Sequence, residues 1–282
     1  MSETLEPGLY EKVPAATYHR MPGVSQSQLK VLRELSPAHL RWQMDHPPEP
    51  SPAMVLGAAI HDAILLPDDF ETVWRPLAAG DGRTKTVRGL RAAEAAAAPY
   101  AVFLTTQDYA TCLAVRDAVA ANKKARQLLN GEAERSAVWN DPRTGILCRG
   151  RFDLLGERTG TIVDLKTSRC AAKDKFSRDI WSYGYHMQAA FYLQGARALG
   201  LEYDRFAFVV VEKDPPYGVA LYEMSHGAIK DGEREIEPLM DLYRQCIEGD
   251  VWPGYSEHVQ MIDLPAWAPH QLDQKLGGSN GG

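Results

Sequence analysis

Near residue 130 the hydrophobic pattern of this chain changes period, and no other feature constrains the fold as much. From Thr105 to Leu129 apolar side chains fall at Tyr109, Leu113, Val115, Val119 and Leu128, the spacing of one face of a long helix. From Arg135 onward the spacing becomes two. Arg135–Trp139, Ile146–Leu155 and Thr161–Thr167 read as strands, separated by Asp-Pro-Arg-Thr-Gly and Gly-Glu-Arg-Thr-Gly turns. Beyond them, Tyr185–Leu199 reads as a helix, Phe206–Glu212 and Gly218–Met224 as strands, and 227–248 as a last helix. Upstream, Ser25 or Ser27 caps a helix that turns Leu29, Leu32 and Leu35 inward, Ser36-Pro37 opens another, and Met54–Leu66 reads as a buried helix. Residues 71–90 are polar and rich in Gly and Arg, the composition of a mobile loop, and the alanine-rich stretch 91–98 is a helix stopped by Pro99. The order is mixed α+β (α/β): an extended lead-in over 1–24, a helical part over 25–130, a sheet-centred part over 131–264 and a flexible Gly-rich tail over 265–282.

Composition narrows the function classes. No apolar run reaches the length of a membrane span, and the first residues lack a basic end followed by an apolar stretch, so a cytoplasmic protein is expected. Cys112, Cys148, Cys170 and Cys246 have no metal-finger spacing and read as reduced thiols. The net charge of −6 argues against a nucleic-acid partner until it is divided along the chain. Residues 201–282 hold 6 Lys+Arg against 15 Asp+Glu, a net of −9, and residues 1–200 a net of +3. Two basic runs stand in that first part: Arg83, Lys85, Arg88 and Arg91, then Lys166, Arg169, Lys173, Lys175 and Arg178. Such runs can track a phosphate backbone, although most are solvated faces.

The stretch from Ile146 to Lys166 carries the chemistry. Pairing its two strands through the Glu157–Gly160 turn sets Asp153 opposite Asp164, Leu155 opposite Ile162 and Arg151 opposite Lys166. Phe152, Leu154, Val163 and Leu165 then make the apolar opposite face. If Trp139 pairs with Ile146, Glu134 falls opposite Arg151. Two converging carboxylates ionise together only with a cation between them, and a hard divalent ion with oxygen ligands supplies one. A neighbouring lysine can stabilise charge developing on phosphorus. The same spacing fits a surface hairpin with an exposed Asp–Lys pair equally well.

Phe152-Asp153 followed by Asp164-Leu165-Lys166 resembles the PD-(D/E)xK nuclease signature, with phenylalanine in place of the proline. Gly57-Ala-Ala-Ile-His61 resembles the GxxxH helix of RecB-like and phage-type exonucleases, and Gln188-Ala-Ala-Phe-Tyr192 their QxxxY helix. The order is most similar to the RecE-like (exonuclease VIII-type) exonuclease domains of phages and prophages, from about Ser25 to about Glu248. The resemblance implies a nuclease core, a central mixed β-sheet flanked by helices, as one domain over 25–264. It implies Mg2+, with Mn2+ as a substitute, held by Asp153, Asp164, the Leu165 carbonyl and His61, with Glu134 a weaker candidate. Lys166 would orient or activate the attacking water, and Gln188 and Tyr192 would position the strand or the Lys166–Asp164 pair. Arg83, Lys85, Arg88, Arg151, Arg169, Lys173 and Lys175 would contact DNA.

The cysteines do not match the spacing of iron–sulfur relatives and no GxxxxGK[ST] stretch is present, so neither a cluster nor ATP is expected. The implied activity is resection of linear double-stranded DNA with free ends, 5′→3′, for single-strand annealing beside a recombinase, by a homo-oligomeric ring without a membrane partner. An endonuclease or resolvase of the same superfamily, or a non-catalytic DNA-binding or recombinase-docking module, is the alternative.

Overall fold

The computed structural model describes residues 6–11, 13–78, 80, 84–156 and 158–277. A short strand β1 (Gly8–Tyr10) and helix α1 (Ala15–Arg20) lead into helices α2 (Gln26–Glu34), α3 (Pro37–Asp45), α4 (Pro52–Leu65) and α5 (Pro67–Val73). Strand β2 (Trp74–Pro76), helix α6 (Lys85–Ala97), strand β3 (Val102–Leu104) and helices α7 (Thr106–Ala121) and α8 (Lys123–Leu128) follow. The second half holds strands β4 (Glu132–Asn140), β5 (Leu147–Gly156) and β6 (Thr161–Ser168), helices α9 (Lys173–Tyr183) and α10 (Tyr185–Ala198), strands β7 (Arg205–Glu212) and β8 (Val219–Glu223), then α11 (His226–Gly249) and α12 (Ala268–Gly277).

Six strands form one mixed sheet in the order β1-β4-β5-β6-β7-β8, while β2 and β3 pair separately. Every neighbour in the large sheet is antiparallel except β6 and β7, which run parallel because α9 and α10 carry the chain back between them. Parallel neighbours require such a crossover. The two faces bury separate cores. Phe206, Phe208, Val210, Trp139 and Phe152 pack with α2, α10 and α11, whereas Val209, Val211, Val163 and Leu165 pack with α4 and α7. With both faces covered, β7 reads as the continuous apolar run Phe-Ala-Phe-Val-Val-Val. Helix α11 presses on α10 so closely that a Cβ at Gly232 would lie 2.4 Å from the His186 carbonyl oxygen.

Local chemistry explains most helix starts. Ser25 and Gln28 exchange reciprocal capping contacts at α2, and Ser51, Thr84, Thr105 and Ser225 cap α4, α6, α7 and α11. Asn122 breaks the expected long helix over 105–129 into α7 and α8, because its side-chain oxygen caps the N–H groups of Lys124 and Ala125. Three further expectations are corrected. The 1–24 lead-in contains a strand and a helix, and β1 pairs with β4 from Gly8↔Val138 to Tyr10↔Ser136. The 71–90 segment is not a loop throughout, since β2 and the start of α6 fall within it. Within the 265–282 tail, α12 is helical, and 278–282 lie outside the described residues.

All four cysteines are free, Cys112, Cys148 and Cys246 buried and Cys170 half-buried. No described helix is long and apolar enough to cross a membrane.

Candidate metal centre and active site

The hairpin of β5 and β6 builds the site by coming apart. Its ladder runs Gly156↔Thr161, Leu155↔Ile162 and Leu154↔Val163 and stops there, one step short of Asp153 and Asp164. The expected register is that of the ladder, but Asp153 and Asp164 do not complete it. Asp153 Oδ2 instead accepts a hydrogen bond of 2.9 Å from the Leu165 N–H. The pleat breaks at the same point. Phe152 packs on the α10 side, whereas Leu154 joins Val163 and Leu165 on the α4 side, so Phe152 does not belong to the apolar face expected for it.

Strand β4 is displaced from expectation as well. Trp139 pairs with Cys148, not Ile146, and Ser136 takes the place opposite Arg151. Glu134 thereby falls between the pairs Ala133↔Leu154 and Arg135↔Phe152, across from Asp153. It holds a left-handed backbone with φ of 52°, a conformation that costs a non-glycine residue roughly 1–2 kcal/mol.

Helix α4 brings His61 to the same place, with Nδ1 3.5 Å from Asp153 Oδ2. His61, Glu134 and Asp153 each offer a ligand atom within 4.8 Å of the others, and all three are half-buried. Asp164 is not one of this trio; it is buried and engaged by Gln188 of α10 and by Lys166. Its Oδ1 accepts 2.6 Å from Gln188 Nε2, its Oδ2 stands 2.7 Å from Lys166 Nζ, and Lys166 Nζ donates 2.9 Å to Gln188 Oε1. Gln188 on α10 therefore clamps both ends of the Asp164–Lys166 pair. Tyr192, one turn on, is buried against Phe152, with ring centroids 5.3 Å apart. Leu165 is tied to the site through its N–H, with its side chain in the α4-side core.

The electrostatics follow from burial among like charges. Burial first, then the Asp153 carboxylate, pushes Glu134 up to about 8, with Arg151 opposing. Burial raises Asp164 also, against the pull of Lys166. Burial alone would lower Lys166, but the Asp164 and Asp153 carboxylates outweigh it and hold the ammonium above its ordinary value. In this arrangement Lys166 is held as a cation between Asp164 and Gln188. Arg151 Nη1 stands 3.5 Å from Glu134 Oε2, partly balancing that acid.

These groups fit a divalent cation. Two carboxylates and an imidazole converge, one carboxyl is forced toward its neutral form by burial and then by the Asp153 carboxylate, and Asp164 Oδ2 is buried without an aligned hydrogen bond. His61, Glu134 and Asp153 would hold the ion, with the Asp164 carboxylate close behind. A raised Glu134 is protonated below about pH 8 and must lose that proton to become a ligand. Binding of Mg2+ or Mn2+ at pH 7 is therefore expected to release close to one proton, falling toward none above pH 9. Calorimetry in two buffers of different ionisation enthalpy measures this, and equal heats in both buffers at pH 7 would count against Glu134 as a ligand.

The DNA candidates divide. Arg83 lies outside the described residues. Lys85 and Arg88 are exposed on α6, which buries none of its residues and adds nothing to the site. Arg151 is at the site, Lys173 is exposed at the start of α9, and Arg169 and Lys175 line a cavity beside β6.

Sequence reasoning missed Tyr18 and Tyr185. The Arg151 guanidinium lies 4.3 Å from the Tyr18 ring centroid and donates to the Val13 carbonyl. Arg149 ties down the carbonyls of Tyr18, His19 and Met21. Lys166 Nζ lies 4.4 Å from the Tyr185 ring centroid. Nothing local marks Tyr18, and Tyr185 could have been found from its place three residues before Gln188, on the same helix face.

A family model described as a PDDEXK-like domain of unknown function (DUF3799) matches residues 25–265. No curated protein matches the sequence. A crystal structure of a "putative exonuclease" from Eubacterium rectale superposes with a TM-score of 0.63 at 12% identity, covering 92% of this chain and 98% of that one. At that identity the likeness is one of fold, a mixed sheet flanked by helices.

Proposed function

The chain belongs to this PDDEXK-like family, and from that premise we propose that it is a divalent-metal-dependent exodeoxyribonuclease acting on linear double-stranded DNA. One observation carries the reading: the trio of His61, Glu134 and Asp153 stands at the parted end of a hairpin whose other strand presents Asp164 and a charged Lys166. A Mg2+ or Mn2+ ion there, when bound, supplies the charge that polarises a phosphodiester and makes water more acidic.

The chain's own groups do the rest. Asp164 and Gln188 fix the Lys166 ammonium, which orients the attacking water and offsets charge developing on phosphorus. Asp153 is fixed by the Leu165 N–H, so its carboxylate is preorganised before any ion arrives. Arg151, held between Tyr18 and Glu134, is placed to meet a phosphate of the bound strand.

The finer reading is 5′→3′ resection that leaves a 3′ single strand for an annealing recombinase, by a ring-shaped homo-oligomer. Duplexes labelled separately at the 5′ and 3′ ends, with covalently closed circles alongside, test it in the presence of Mg2+. The expected result is early loss of the 5′ label as mononucleotide with the circle intact. Cut circles would favour an endonuclease, and no cleavage with either Mg2+ or Mn2+ would leave only a binding module.

A further inference from the structure

Beside the catalytic groups, where β6 ends, a cavity of about 310 Å³ opens between the 167–170 turn, α9 and the residue after β7. Three of its lining residues are cations, Arg169, Lys175 and Lys213, and none forms an ion pair with an acid among the described residues. Asp179 is its one acidic side chain. Three aromatic residues complete the wall, the buried Phe176 and the two tyrosines Tyr183 and Tyr185, whose centroids lie 5.6 Å apart with planes inclined by 33°. Tyr183 is 47% exposed, with the Lys30 ammonium 5.2 Å from the centroid of its ring. Tyr185 links the cavity to the site, because the same ring lies 4.4 Å from Lys166 Nζ.

Unpaired cations around a concave space select an anion, and an exposed aromatic ring such as Tyr183 favours a flat heterocycle. The volume is at the small end of ligand sites, too small for a duplex. We infer that this cavity is a single-nucleotide subsite, which takes the terminal nucleotide of the strand with its phosphate among Arg169, Lys175 and Lys213 and its base against Tyr183. The inference rests on the nuclease reading and deepens it. A site of one-nucleotide size next to the reacting groups sets the length of the piece removed, and it makes a nucleoside monophosphate the natural product and inhibitor.

Calorimetry on the full chain in EDTA, where no hydrolysis occurs, tests the subsite with dTMP, thymidine and inorganic phosphate as probes. The expected order is dTMP tightest and thymidine weakest. Lys213→Ala should weaken dTMP and phosphate by about tenfold and leave thymidine unchanged, and Arg169→Ala should do the same. Tyr183→Ala should weaken dTMP by about tenfold through lost stacking and leave phosphate unchanged. A blunt linear duplex should displace dTMP, as a strand end sharing the cavity must. Thymidine binding as tightly as dTMP, indifference to all three substitutions, or independent binding of duplex and dTMP would each overturn the subsite. The end-label assay separates the two ideas: DNA cleavage without selective dTMP binding removes the subsite alone, and dTMP binding without cleavage under Mg2+ or Mn2+ removes the nuclease reading.

Discussion

Asp153→Asn is expected to reduce DNA hydrolysis by roughly three orders of magnitude or more while leaving the metal-free protein as stable as before, or slightly more so. The substitution keeps the shape and lets the amide oxygen accept the Leu165 N–H, so the parted hairpin keeps its geometry. What disappears is one negative charge from the trio with His61 and Glu134. Relief at Glu134 favours the variant, and the lost attraction between Asp153 and the Lys166 ammonium opposes it, which keeps the net change small. The folded value of Glu134, about 8, is raised mainly by burial and then by Asp153, so between roughly pH 4.5 and 8 the unfolded chain holds the carboxylate and the folded chain the acid. Stability from this group is fully present at low pH and declines as pH rises through that window. Removing the Asp153 charge lowers the folded value and shrinks the loss. Turnover with Mg2+ and thermal melts in EDTA at pH 5 and pH 7 measure both halves. Retained turnover would sink Asp153 as a site residue, and a large fall in melting temperature would make its role structural.

Trp139→Ala should cost about 3–5 kcal/mol, the largest stability loss foreseen for a single side chain here. Trp139 on β4 is 1% exposed and meets Phe191 of α10 with ring centroids 4.9 Å apart. The α10 backbone comes so near that a Cβ at Gly195 would lie 2.9 Å from the indole ring, and on the strand side one at Gly150 would lie 3.3 Å away. Deleting the indole leaves a void between strand and helix that these backbones cannot close without moving. Because α10 also carries Gln188, any settling of the helix changes the clamp on Asp164 and Lys166. Urea denaturation should show a lower midpoint at unchanged slope, with turnover falling further than stability alone accounts for. A loss under about 1 kcal/mol would mean that this contact does not hold strand and helix together.

Much of this was legible because it is local. The turn between β5 and β6 is short and its flanks alternate, so Leu155↔Ile162 could be placed from the sequence. Caps at Ser25 and Thr105 announce their helices. The strand separation at Asp153 was not legible, since it depends on a carboxylate capturing the Leu165 N–H across the gap. Nor was the β4 register. The chain between β4 and β5 holds Gly145 with φ of 72° and a tight cluster in which Asp141 Oδ1 binds Arg143, Thr144 N–H and the Thr144 hydroxyl. That cluster lengthens the connection by two residues relative to a minimal hairpin and moves Glu134 from Arg151 to Asp153. Helix α9 went unread because its exposed face is charged and Phe176 is its one buried residue. The N-terminal strand was hidden by its prolines, and its partner is more than a hundred residues away.

The long reach of these contacts has a consequence for how the protein comes into being. Tyr18 meets Arg151, His61 and Glu134 meet Asp153, and Asp164 waits for Gln188, so the centre draws on five separated stretches of the chain. A ribosome delivering this polypeptide from its N-terminus exposes the acids well before the glutamine that orders them. A fragment ending before α10 lacks Gln188 and so cannot form the clamp on Lys166 and Asp164. The centre is therefore complete only in a chain long enough to hold α10, the crossover helix between β6 and β7.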